Sequence, residues 1–269
     1  MTDAVKLHHA LDGAVDGPPL LLGGSLGTTL EMWEPQLAAL EPIAQLVRFD
    51  HRGHGRSPVP AGPYGIDDLG GDVLRLMDDL ELERASYCGL SIGGMVGQWL
   101  AINAPDRIDS LILICTSAHL PPASAWQDRA AAVRAAGTPE VVADAVLSRW
   151  FTAPWAERHP DVISRYRQMI SGIDPEGYAG CCEAIAGMDL RDGLDRISAP
   201  TLVLSGRQDP SIPPPHGEAI ARAVAGARLE ILDPGAHLLS VERPDDVTAL
   251  IAGHLGTAGA TPINRSALR

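Results

Sequence analysis

The stretch Ser86-Tyr87-Cys88-Gly89-Leu90-Ser91-Ile92-Gly93-Gly94-Met95-Val96-Gly97-Gln98-Trp99-Leu100 changes its hydrophobic period at one serine. Before Ser91 runs a short apolar segment of strand length. After it, Ile92, Met95, Val96, Trp99 and Leu100 recur at i, i+3, i+4, i+7 and i+8, the spacing of one helical face. Gly89-Leu90-Ser91-Ile92-Gly93 is thus a G-x-S-x-G sequence between a strand and a helix, the context of a nucleophile elbow. Such a tight reversal strains the backbone at Ser91, and Gly93, Gly94 and Gly97 allow the close approach of strand and helix that it requires. The plainer alternative, a glycine-rich turn with an incidental serine, leaves the flanking strand and helix unexplained.

Outward from this turn the same alternation repeats. Apolar runs at Leu20 to Leu22, Leu46 to Phe49, Leu111 to Cys115, Thr201 to Leu204 and Leu229 to Leu232 lack a clean two-residue period, as strands buried on both faces do. Helical patterns cover Leu69 to Leu80, Ile92 to Asn103 and Val247 to Leu255. Strand and helix in alternation imply an α/β fold with a mostly parallel central sheet and flanking helices. Between Ala118 and Ile197 the alternation stops, and Trp126 to Ala136, Pro139 to Phe151 and Val162 to Ile170 read as successive helices. The expected organisation is a core of residues 1–117 and 198–256, an inserted helical cap at 118–197 over the sheet's carboxyl edge, and a flexible tail at 257–269.

The 269 residues bury enough surface for one domain with an insertion. A formal charge of -13 disfavours a nucleic-acid partner, and no 18-residue apolar stretch suggests a membrane span. The start Met1-Thr2-Asp3-Ala4-Val5-Lys6 lacks the pattern of a secretory signal, so a cytoplasmic location is expected. In that setting Cys88, Cys115, Cys181 and Cys182 should be reduced, and the sequon Asn264-Arg265-Ser266 has no meaning. Neither a dinucleotide fingerprint nor a phosphate loop occurs, and no metal or organic cofactor is expected.

A serine hydroxyl is a weak nucleophile and needs a base that a carboxylate orients. Among nine histidines, His237 in Asp233-Pro234-Gly235-Ala236-His237 follows the last strand, where the chain order Ser, Asp, His places the base. Asp209, in Ser205-Gly206-Arg207-Gln208-Asp209-Pro210 after the preceding strand, is the candidate acid, with Asp233 as its competitor. His51 and His54 form an H-x-x-H pair with no third ligand, a weak metal signal. His8, His9, His119, His159, His216 and His254 fall by default to surface or helix-end roles. In this architecture the oxyanion donors are backbone N–H groups of Ile92, which follows the nucleophile, and of Ser25 in the loop Gly23-Gly24-Ser25-Leu26-Gly27-Thr28.

Taken together these segments resemble the α/β-hydrolase superfamily over nearly the whole chain, Leu20 to Leu255. Within it the chain is similar to the 3-oxoadipate enol-lactonases. That narrower likeness rests on Ser25-Leu26-Gly27-Thr28-Thr29-Leu30 with Met32-Trp33, on Phe49-Asp50-His51-Arg52-Gly53-His54-Gly55-Arg56-Ser57, and on Tyr87 to Leu100 around the elbow. The resemblance implies a serine hydrolase that opens an enol-lactone ring through an acyl-enzyme, in the bacterial breakdown of aromatic acids. The alternatives are a carboxylesterase, a perhydrolase or a carbon–carbon bond hydrolase with the same triad, and, in another class, a ligand-binding protein that keeps the fold without turnover. A doubly negative substrate approaching so acidic a chain needs local cations. The cap supplies Arg129, Arg134, Arg149, Arg158, Arg165 and Arg167, of which one or two should face the pocket beside an apolar lining that includes Trp126 or Trp150.

Overall fold

A computed structural model describes residues 3–258. Seven strands form one sheet: β1 (His9–Gly13), β2 (Pro19–Gly23), β3 (Gln45–Phe49), β4 (Ala85–Leu90), β5 (Ile108–Ile114), β6 (Thr201–Gly206) and β7 (Arg228–Leu232), in the spatial order β1-β3-β2-β4-β5-β6-β7. Every neighbouring pair is parallel except β1 with β3. β1 is the strand that the apolar-run reading does not anticipate. Its sequence, His-Ala-Leu-Asp-Gly, lies half exposed at the sheet's edge and carries no continuous apolar signal.

The interior strands sort their side chains by parity into two cores. Leu21, Val47, Tyr87, Leu111, Leu113 and Val203 meet α2 (Ile66–Asp79) and α3 (Ile92–Asn103) on one face. Leu20, Leu22, Leu46, Cys88, Ile112, Ile114, Leu202 and Leu204 meet α1 (Glu34–Leu40) and α11 (Pro244–Ala258) on the other. Burial on both faces explains why these strands read as unbroken apolar runs.

Between β5 and β6 the chain forms α4 (Ala123–Ala136), α5 (Glu140–Trp150), α6 (Ala153–Arg158), α7 (Pro160–Ser171) and α8 (Pro175–Gly187). Among the described residues only an isolated bridge between His119 and Asp189 interrupts this helical insertion. After β6 come α9 (Pro214–Ala223) and, beyond β7, the short α10 (Leu239–Glu242) and α11. The sequence reading starts a flexible tail at residue 257, but α11 continues to Ala258. Residues 259–269, with the sequon, lie outside the described residues.

The four cysteines are buried and unbridged. No helix among the described residues is long and apolar enough to cross a membrane. The register of the parallel strands, with Leu90 beside Ile114, Ile114 beside Leu204 and Gly206 beside Leu232, aligns the carboxyl ends of β4 to β7 along one edge. The segments that follow them, beginning at Ser91, Cys115, Arg207 and Asp233, are neighbours there.

Candidate active site

β4 reverses into α3 at Ser91, whose φ of 58° and ψ of −116° make it a left-handed non-glycine residue. The turn closes because its flanks lack side chains. A Cβ on Gly89 would stand 2.2 Å from the Gly93 carbonyl oxygen, and one on Gly93 would stand 2.3 Å from that of Gly23. Three hydrogen bonds hold the strained residue. The Ser91 N–H donates to the Ile114 carbonyl (2.9 Å), and the Ser91 carbonyl accepts from the Thr116 hydroxyl (2.7 Å) and the Met95 N–H (3.0 Å).

Asp209 follows β6 and His237 follows β7, and the structure brings them together. His237 Nδ1 lies 2.7 Å from Asp209 Oδ2, and both side chains are buried. Asp209 divides its carboxylate: Oδ1 accepts from the N–H groups of Ser211 (2.8 Å) and Ile212 (3.0 Å), while Oδ2 takes the imidazole N–H. Because Nδ1 is engaged as a donor, Nε2 is left as the basic nitrogen. His237 and Ser91 line the same cavity. The competing acid, Asp233, is exposed and accepts instead from Gln208 Nε2 (2.8 Å).

Cys115, Asp209 and His237 each present a potential ligand atom within 4.8 Å of the others. Burial, and then the neighbouring Asp209, push the Cys115 thiol well above its usual range. The protonated thiol donates to the Ala236 carbonyl, 3.7 Å away. Both Asp209 oxygens are already engaged, Oδ2 by His237 and Oδ1 by two backbone N–H groups, so the three groups fit an acid–base pair with a thiol neighbour better than a metal centre.

The loop after β2 is fastened at several points. The Gly24 carbonyl accepts from the Gly93 N–H (3.1 Å) and from His51 Nε2 (3.1 Å), so His51 carries its proton on Nε2. His54 Nε2 accepts from the Gly27 N–H (3.0 Å), and Gly27 sits at φ +84°. Burial lowers the pKa of His51 to about 3 and that of His54 to about 4. The H-x-x-H pair is thus built into the loop that carries Ser25, and its role differs from the weak metal signal in the sequence. The Ser25 and Ile92 N–H groups donate to no acceptor among the described residues. Of the six histidines expected at the surface or at helix ends, His254 departs: it is buried on α11, with Nε2 3.1 Å from the Pro200 carbonyl.

The cavity wall combines Leu26, Leu120, Val146, Trp126 and Trp150 with Arg129, Arg149 and Tyr178. Two of the six candidate arginines therefore reach it. Arg129 lies over the Trp126 ring, 4.6 Å from its centre, and Arg149 has no ion-pair partner among the described residues. The other four are engaged elsewhere: Arg134 with Glu176 and Glu183, Arg165 with Glu34, Arg167 with Glu140 and Asp144, and Arg158 with the Pro154 carbonyl. Tyr178, on α8, has no motif that would have marked it in the sequence. Its buried hydroxyl reaches the cavity wall beside Arg129.

A strained serine on a strand-to-helix turn, a buried His–Asp pair from the two later strands and a parallel sheet beneath them define the α/β hydrolases. The profile of the alpha/beta hydrolase fold family matches residues 18–244, and the chain belongs to that family. It is 42% identical over 241 residues to the 3-oxoadipate enol-lactonase 2 of Acinetobacter baylyi, covering 89% of each chain. Among solved structures it is similar to the enol-lactonase from Burkholderia xenovorans LB400 (44% identity, TM-score 0.91, 93% of this chain and 96% of that one). It is also similar to a thermophilic esterase from Thermogutta terrifontis (31% identity, TM-score 0.88, 94% and 93%).

Proposed function

We propose that this protein hydrolyses the enol-lactone of 3-oxoadipate through an acyl-enzyme, with residues 118–197 acting as a cap over a core formed by 1–117 and 198–256. The observation that carries the chemistry is the buried 2.7 Å pair of His237 and Asp209 on the cavity that Ser91 also lines. The enol-lactonases at 42% and 44% identity over nearly the whole chain support the substrate.

Ser91 attacks the ring carbonyl as His237 Nε2 takes its proton, and Asp209 stabilises the resulting imidazolium without taking a proton itself. The oxyanion is received by the N–H groups of Ser25 and Ile92, which have no other acceptor to compete for them. Collapse breaks the ring C–O bond, and the imidazolium returns its proton to the leaving enol oxygen. The enol then tautomerises to the ketone, which draws the ring opening forward. Water, deprotonated by His237, attacks the acyl-enzyme and releases the second carboxylate.

The lactone differs from the doubly negative substrate expected from the sequence. Ring closure consumes a carboxylate, so the lactone carries one negative charge and the second appears only on deacylation. Arg129 and Arg149 suit this sequence, one guanidinium for the carboxylate present on arrival and one near the carboxylate formed later. Trp126, Trp150 and the aliphatic wall hold the ring.

The test is spectrophotometric loss of enol-lactone generated in situ from muconolactone, with the wild-type chain and Ser91→Ala. Rapid loss that depends on Ser91 supports the reading. Turnover of p-nitrophenyl acetate without turnover of the lactone would move the chain to the carboxylesterases.

A further inference from the structure

His237 is flanked by two residues whose amides are both tied toward the inserted helices. Ala236 N–H donates to Glu242 Oε2 (2.8 Å), and Leu238 N–H donates to the Trp150 carbonyl (2.9 Å) at the end of α5. Glu242 reaches the same junction with its other oxygen. Oε1 accepts from the Thr152 N–H (3.1 Å) and from the Thr152 hydroxyl. Glu242 is only 5% exposed, so these contacts are shielded from water. On its opposite side the loop is held by Gln208, whose N–H donates to the Gly235 carbonyl (2.9 Å) and whose side-chain oxygen accepts from the Gly235 N–H (2.8 Å).

We infer that Glu242 is a positioning residue for His237, clasping the histidine loop to the α5–α6 junction. The inference rests on the assignment of His237 as the base. A buried carboxylate costs desolvation free energy, and here it serves as the shared acceptor of two segments more than 80 residues apart in sequence. Trp150 and Arg149, on the same helix end, line the cavity. The clasp therefore joins the wall that meets the ligand to the group that moves the proton. Without it, the loop would keep its Gln208 contacts but lose the bond on the N–H preceding His237, and the imidazole would sample orientations in which Nε2 misses the serine.

Glu242→Gln tests this at constant side-chain volume. However the amide rotates, its NH2 faces either the Ala236 or the Thr152 N–H, so one acceptor is lost. Activity on the lactone and on p-nitrophenyl acetate is measured together with the urea midpoint. The downfield proton resonance of His237 Nδ1–H is recorded by NMR. The expected result is a fall in kcat of about 10- to 100-fold on both substrates, KM within about 3-fold of wild type, and a shifted or broadened imidazole resonance. Thr152→Val, which keeps the backbone bond, should move the same readouts in the same direction by about 2- to 5-fold, and it carries the test should Glu242→Gln not fold. Wild-type kcat with an unchanged resonance, or a loss confined to KM, would overturn the inference. The resonance is read without turnover, so failure of the wild-type chain to open the lactone would overturn the proposed substrate and leave the test of Glu242 intact.

Discussion

His54 turns Nε2 to the N–H of Gly27, 3.0 Å away, and a protonated imidazole could not accept that bond. The same loop is held by His51 at Gly24. Burial favours the neutral form of both imidazoles, and the bond from His54 to the loop that carries the proposed oxyanion donor requires it.

A pH dependence of stability follows. Burial lowers the two pKa values to about 3 and about 4, against 6.5 for an ordinary histidine, so below pH 6.5 the unfolded chain binds more protons than the folded one. The stabilisation is complete above pH 6.5 and is lost progressively as the pH falls toward about 3. Between pH 8 and pH 5 the two histidines together should account for roughly 2 to 4 kcal/mol. Urea midpoints across this range check it, and a His51→Gln/His54→Gln variant should show a flatter profile. An unchanged slope would remove these residues as its cause.

Ser91→Ala and His237→Ala should each lower kcat by about three to six orders of magnitude in folded protein. Asp209→Asn should cost about 10³- to 10⁴-fold, and Asp233→Asn little, because Asp233 is exposed and bonded to Gln208. Steady-state kinetics on the lactone decide this, and a larger loss from Asp233→Asn would mean that the acid is misassigned.

Of Arg129→Ala and Arg149→Ala, the one that removes the guanidinium meeting the carboxylate present on arrival should raise KM for the charged lactone by about 10- to 100-fold while leaving a neutral ester nearly unaffected. The corresponding changes at Arg134, Arg158, Arg165 and Arg167 should not distinguish the two substrates, since their guanidinium groups are occupied away from the cavity. Equal behaviour of all six variants would point to a substrate without a carboxylate.

Gly93→Ala should destabilise the chain by at least about 2 kcal/mol, because the new methyl group meets the backbone oxygen of Gly23 and cannot be relieved by a rotamer change. A thermal denaturation midpoint within a degree or two of wild type would show that the elbow can relax.

The strand-to-helix turn at Ser91, the interior strands and the loops that bring Asp209 to His237 were legible because each rests on local pattern: an apolar run, a helical period, glycines around one residue. β1 was not, because a half-exposed edge strand has no apolar run to announce it. Which arginines face the cavity was also hidden. Arg134 is taken by Glu176, 42 residues away, and Arg165 by Glu34, 131 residues away, and no local spacing encodes such pairings. Tyr178 and Glu242 were overlooked for the same reason. Tyr178 meets Gly27 in the loop after β2, and Glu242 joins Thr152 of the insertion to Ala236 of the loop after β7, whereas both sit in helical sequence without a motif.

The divided carboxylate of Asp209 bears on how this pocket could be re-engineered. Ile212 and Ser211 contribute side chains to the cavity wall while their backbone N–H groups hold the acid's second oxygen. Libraries that vary the side chains at 211 and 212 can reshape the wall for new acyl groups and still present the same lone pair to His237. Proline at either position removes one of the two donors that hold the carboxylate. The acid's geometry at these two sites is therefore set by the main chain, which excludes proline whatever the wall requires of the side chains, and at buried Ile212 the wall requires an apolar one.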